Sequence, residues 1–99
     1  MIRLPEPLTF EWDDGNQDKN LLKHQVSSAE TEEAFFDPDK RSYPDPDHSH
    51  SEVRRILVGK ARGGRILLIV YAIREDRVRV ISARDLSKKR EVDLYEKAP

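Results

Sequence analysis

The chain has no cysteine, one methionine, one tryptophan and four glycines in 99 residues. Without cysteine there is no disulfide framework, no zinc ribbon and no thiol catalysis, and nothing calls for an oxidising compartment. Long apolar runs are also missing. The best of them, Ile66-Leu67-Leu68-Ile69-Val70-Tyr71-Ala72-Ile73, falls far short of the roughly 20 residues that cross a bilayer. The opening Met1-Ile2-Arg3-Leu4-Pro5-Glu6-Pro7 lacks the apolar stretch of a secretory signal. The expectation is a soluble, cytoplasmic chain with no membrane partner.

Charge is abundant instead. Charged residues make up 37% and hydrophobic residues 36%, with a mean hydropathy of −0.79. The length suits one domain over residues 1–99 with a small core. A formal net charge of −1 conceals a division. Residues 1–52 carry 5 Lys+Arg against 13 Asp+Glu (−8), and residues 53–99 carry 13 against 6 (+7). Opposite halves either neutralise each other across the fold or leave an anion-binding surface on the C-terminal side.

Residues 1–7, with two prolines, predict an extended N-terminal segment. The alternation Leu8–Trp12 predicts a first strand. Asp13 then caps a helix over roughly 14–24. The sequence Ser27-Ser28-Ala29-Glu30 is a capping-box signature, starting a second helix near 28. Pro38 disfavours helical backbone at Asp37 and stops it there. Residues 37–51, rich in proline and aspartate, predict a long acidic surface loop. Period two then returns in Val53–Lys60, Arg65–Arg74 and Arg77–Arg84. Their hairpin-length connections, Ala61–Gly64 and Glu75-Asp76, make them an antiparallel meander. Ser87 caps a last helix of about 88–97. The expected class is α+β, with two N-terminal helices, an antiparallel sheet of three to four strands and a C-terminal helix.

Three constellations bear on chemistry. His48 and His50, beside Asp45 and Asp47, form a His-x-His group, but a proline-rich loop gives no fixed ligand spacing. No metal and no cofactor is therefore expected. Asn20 and His24 share one face of the first predicted helix, beside Lys19 and Lys23. His24 is either a general acid/base or a ring favouring the helix dipole. On the last strand, regular alternation puts Arg77, Arg79 and Ile81 on one face and Val78, Val80, Ser82 and Arg84 on the other. Arg84 ends that strand beside Lys88, Lys89 and Arg90, whose charges oppose the helix dipole unless an anion such as phosphate lies near. Gly63-Gly64 is a turn, since no strand, glycine loop and helix follow in order. No Ser/His/Asp or paired-carboxylate arrangement can be placed.

Phe10-Glu11-Trp12-Asp13, Gly15-Asn16, Asp18-Lys19-Asn20, Lys23-His24, Val26-Ser27 and the stretch from Glu33 to Asp37 resemble the BrnT family in that order. The likeness continues through the Asp-Pro-Asp-His-Ser loop, Gly64-Arg65-Ile66-Leu67, Ile73-Arg74 and Val80-Ile81-Ser82-Ala83-Arg84-Asp85, covering about residues 8–97. The resemblance implies a RelE-like fold and a ribonuclease toxin of a bacterial type II toxin–antitoxin pair. Such an enzyme blocks translation by cutting mRNA without a metal, the 2′-hydroxyl attacking the adjacent phosphorus. Its implied partner is a ribbon-helix-helix antitoxin (BrnA-like), with two toxins on an antitoxin dimer and promoter DNA bound only through the antitoxin.

On that reading His24 or Glu91 moves protons, Lys23 and Arg84 stabilise the phosphate, and Tyr95 stacks on or hydrogen-bonds a base. Arg79, Lys88, Lys89 and Arg90 bind RNA. Core packing is the other role open to Tyr95. Two positions depart from the family: Gln25 stands where relatives carry Gly, and Lys89-Arg90-Glu91 where Lys-Glu-Arg is commoner. Two alternatives are a catalytically inactive module that binds its partner within a DNA-binding repressor complex, and metal binding at His48 and His50.

Overall fold

The computed structural model describes residues 4–13, 15–17, 25–45, 52–86, 93 and 95–96. Helix α1 (Ser28–Phe35) starts where the capping signature puts it: Ser27 has extended backbone and its Oγ accepts the Glu30 amide at 3.1 Å. Only half of the capping box forms. The Glu30 carboxylate turns to Arg65, accepting from Nε at 2.8 Å and from Nη2, because an ion pair across the fold outweighs a bond to the cap amide. Thr31, Ala34 and Phe35 are the buried side of the helix. Gly59 lies under it; a Cβ there would sit 2.4 Å from the Ala34 carbonyl oxygen, so only glycine lets helix and sheet approach this closely.

Five strands form one mixed sheet: β1 (Phe10–Glu11), β2 (Arg41–Pro44), β3 (Arg55–Lys60), β4 (Ile66–Arg74) and β5 (Arg77–Asp85), in the order β1-β5-β4-β3-β2. The expected meander is β3–β4–β5, antiparallel throughout. Glu75 and Asp76 turn its second hairpin with φ of 50° and 62°, the positive values that a two-residue I′ connection demands.

The rest of the expected architecture is overturned. The described residues form one helix and a five-stranded mixed sheet, in place of two N-terminal helices, three to four antiparallel strands and a C-terminal helix. The segment read as a loop contains β2, an edge strand whose Pro44 is tolerated because one side of an edge needs no amide. Strand β1 is short and runs parallel to β5, where the Val78 amide donates to Thr9 O at 2.9 Å. Of the first predicted helix, Gly15–Gln17 are described, and they make a turn on the Asp13 carbonyl. Residues 14 and 18–24 lie outside the described residues. Of the last predicted helix, Asp93, Tyr95 and Glu96 are helical, and the remainder of 87–99 lies outside.

Each face of the sheet has its own core. One packs Leu57, Leu67, Ile69, Tyr71, Val78, Val80 and Ala83 against Ala34 and Phe35 of α1. Edge-to-face rings run from Phe10 to Phe35 (5.1 Å) and on to Tyr71 (5.2 Å). The other face carries Val58 with Leu86 and Tyr95, flanked by Tyr43, Ile56, Ile66 and Leu68. The central strand is thus covered on both sides, as its unbroken apolar run requires.

Candidate nucleic-acid interface

The strand that carries Arg84 is irregular. Tyr71 pairs with Val80 but Val70 pairs with Ser82, so Ile81 is an extra residue, a β-bulge. This overturns the regular alternation. Beyond the bulge the two faces exchange, and Ser82 and Arg84 join Arg77 and Arg79 on one side. A buried amide holds the distortion: Asn16 Nδ2 donates to Glu11 O at 2.9 Å and to Val80 O at 3.1 Å, while Asn16 Oδ1 accepts the Asp13 amide at 2.7 Å.

The pairing register spells out what shares that side. Arg84, Leu68, Val58 and Arg41 form one row across four strands, and Ser82, Val70, Ile56 and Tyr43 form the next. Arg84 and Arg41 stand about 14 Å apart at three strand spacings. Lys60 pairs with Ile66 beyond the first row, while Arg79 with Ala72 and Arg77 with Arg74 close the other end. Cations therefore ring an apolar centre. Among the strand residues of this side, Glu11 is the one acid. The opposite side, packed on α1, carries no such ring.

These cations differ in how far the fold already neutralises them. Arg79, 14% exposed, donates to Glu11 Oε1 and Asp13 Oδ2 at 2.8 Å each, with Asp13 Oδ1 at 3.2 Å. The Arg79 guanidinium, with the Gly15 amide behind it, holds the Asp13 carboxyl below its usual range. Arg74 makes a bidentate pair with Glu52 at 2.8 and 2.9 Å, which lowers the Glu52 pKa. That pair lies in solvent, with 45% of the Arg74 side chain exposed; exposed pairs are worth about 0–1 kcal/mol. A phosphate can compete for Arg74. It cannot displace both carboxylates from Arg79 as cheaply.

Near the row of Arg41 and Val58, the Tyr95 hydroxyl donates to Asp37 Oδ2 at 2.6 Å. The same oxygen accepts the Lys60 amide at 2.8 Å, and Oδ1 accepts the Asp39 amide at 2.9 Å. Burial works to raise the Asp37 pKa, but these donors outweigh it and hold the carboxyl below its ordinary value. Burial first, and then the bond to Asp37, push the Tyr95 phenol well above its ordinary value. Lys60 Nζ lies 5.6 Å over the Tyr95 ring, and Arg41 Nε donates to Tyr95 O at 3.4 Å. Tyr95 is 9% exposed, and its hydroxyl is engaged within the fold.

Of the residues singled out in the sequence, Arg79, Arg84 and Tyr95 fall among the described residues and lie on this one face. Lys23, His24, Lys88, Lys89, Arg90 and Glu91 lie outside the described residues, as do His48 and His50. Arg41, Lys60, Asp37 and Asn16 are not among the site residues that the sequence points to. Arg41 falls in the segment expected to be a loop and Asp37 at the expected end of a helix; neither carries a local sign of its distant partners. No group of His, Cys, Asp and Glu able to hold a metal ion occurs among the described residues. Nor, among them, is any helix long and apolar enough to cross a membrane.

Residues 12–90 match the model of a family described as ribonuclease toxin, BrnT, of type II toxin–antitoxin system. No curated protein matches the chain.

Proposed function

Because the chain belongs to the BrnT family of ribonuclease toxins of type II toxin–antitoxin systems, we propose that it is an endoribonuclease that cuts mRNA on the cation-ringed face of its sheet. The observation that carries the reading is the bulge at Ile81, which turns Arg84 to the side of Arg41 and Tyr43. A guanidinium there is suited to the negative charge that builds up at phosphorus in the transition state, and such electrostatic terms are commonly the largest in catalysis.

The chemistry is metal-independent. The RNA 2′-oxygen attacks the neighbouring phosphorus and the 5′-oxygen leaves, so one proton departs from the nucleophile and one reaches the leaving group. His24 or Glu91 carries that transfer, each well-placed group being worth about 10²–10⁴ in rate. Lys23 and Arg84 carry the phosphate charge, with Lys88, Lys89 and Arg90 along the RNA backbone and Arg79, held by Glu11 and Asp13, the weakest contact there. Tyr95 acts on this reading as a positioning residue, since its hydroxyl is committed to Asp37.

The family implies an antitoxin; a ribbon-helix-helix protein of the BrnA kind, binding two toxins as a dimer, suits the role. Incubating the purified chain with mRNA in the presence of a chelator tests the reading. Cleavage is expected, reduced about 10²-fold or more by His24→Ala or Arg84→Ala with the fold intact. Intact RNA at high protein concentration would leave the chain as a partner-binding module in a repressor complex.

A further inference from the structure

Helix α1 covers the side of the sheet remote from the basic face, and it leaves one large apolar side chain outside. Phe36, at the C-terminal cap of the helix, is 63% exposed. It forms a shared wall between two open clefts. One, of about 500 Å³, is lined by Leu4, Leu8, Phe35 and Phe36; the other, of about 250 Å³, by Ala29, Glu32, Glu33 and Phe36. Ala29, Glu32, Glu33 and Phe36 are spaced i, i+3, i+4 and i+7, a continuous stripe of the helix surface.

The charge around this stripe has one sign in the helix itself. The sequence Ser28–Phe35 holds Glu30, Glu32 and Glu33 and no base, and its last turn lacks any cation to offset the helix dipole. Glu30 is taken up by Arg65, whereas Glu32 and Glu33 line the second cleft with Arg62 and, among the described residues, accept only from neutral donors, the Trp12 indole at 2.7 Å and the Arg62 backbone amide at 3.0 Å. Glu6 and Lys40 bring one charge of each sign to the lining of the first cleft. The residual field near Phe36 is therefore negative, from two carboxylates and a helix C-terminus against one guanidinium. An exposed phenylalanine set between apolar clefts under a negative field suits an amphipathic segment bearing Lys or Arg.

We propose that this stripe is where the antitoxin docks, through a cationic amphipathic helix whose apolar residues straddle Phe36. That the partner is a protein antitoxin rests on family membership, and the docking site is independent of where RNA binds. Neutralisation then has a handle on the acidic side of the molecule, separate from the basic face.

The test uses the full-length chain and its full-length cognate antitoxin, with affinity measured by calorimetry and RNA cleavage by the free chain measured in parallel. Phe36→Ser, at a position 63% exposed whose ring gives up an edge contact with Phe10 at 6.5 Å but none of the buried core, is expected to weaken the complex about 30-fold or more while cleavage by the free chain stays unchanged. Arg62→Glu, which deepens the negative field, is expected to tighten the complex about threefold at low salt. Weaker binding by Arg62→Glu would mean an anionic partner and overturn the proposal. So would no complex with the unsubstituted chain, a Phe36→Ser affinity within twofold, or self-association of the isolated chain that depends on Phe36. A free chain that binds this way yet cleaves no RNA would sink the enzymatic reading and leave the docking site standing.

Discussion

At the scale of single residues, Asp37 ties the end of α1, the end of β3 and the C-terminal segment through one carboxylate. Asp37→Ala leaves the Tyr95 hydroxyl and two backbone amides without that acceptor, and is expected to cost about 1–3 kcal/mol in urea unfolding. The pH dependence has a definite sign. The folded-state pKa of Asp37 is depressed, so its contribution is present above the ordinary carboxylate value and is lost as pH falls through the lower folded value. Acid titration of stability should therefore be shallower below about pH 4 in Asp37→Asn than in the parent chain. Gln25 gives a second case. It stands at φ 58°, a left-handed backbone that a residue with a Cβ adopts at a cost, and its carbonyl accepts from Arg65 Nη2 at 2.7 Å. Gln25→Gly keeps that bond and removes the strain, so thermal unfolding should shift upward by the equivalent of about 1 kcal/mol. The sequence marked Gln25 as a departure from its relatives, but nothing in it gave the dihedral. Tyr95 was legible only as an aromatic of open role, because its partner Asp37 is remote in the chain.

Elements were legible where local pattern decides them. The capping signature at Ser27 and the period-two runs of β3, β4 and β5 are short-range signals, and the structure has those elements close to the expected bounds. What stayed hidden was long-range. Four residues of β2 lie amid proline and aspartate, and they become a strand only because β3 offers an edge. Strand β1 needs a parallel partner some seventy residues away, and the bulge at Ile81 has no compositional mark. Two substitutions test the devices that set these elements. Gly59→Ala drives a methyl into the Ala34 carbonyl and should destabilise by about 1–3 kcal/mol or more through separation of α1 from β3. Asn16→Ala strips the buried carbonyl of Val80 and the half-buried one of Glu11 of their donor, at about 1–3 kcal/mol. Hydrogen exchange should then rise first in β1 and in β5 beside the bulge.

For the molecule as a whole, the division of charge seen in the sequence becomes a division of surfaces. The α1 side carries Glu30, Glu32 and Glu33 with Arg62 and Arg65 beside them, and the far face of the sheet carries Arg41, Lys60, Arg74, Arg77, Arg79 and Arg84, with Glu11 as the one acid among its strand residues. RNA binding through that face is a polyelectrolyte contact, so affinity should fall as salt rises, and removal of one phosphate-contacting cation should lower the slope by roughly 0.7 per contact on single strands. The measurement closest to the central claim is the affinity of the chain for an uncleavable 2′-O-methyl RNA, compared between two changes of equal charge on opposite faces. Arg84 and Arg55 both leave strands, but the register turns Arg84 to the cation-ringed side and Arg55, opposite Tyr71, to the α1 side. Binding is predicted to weaken about tenfold in Arg84→Ala and to stay within twofold in Arg55→Ala. Equal losses, or a greater loss in Arg55→Ala, would contradict the account.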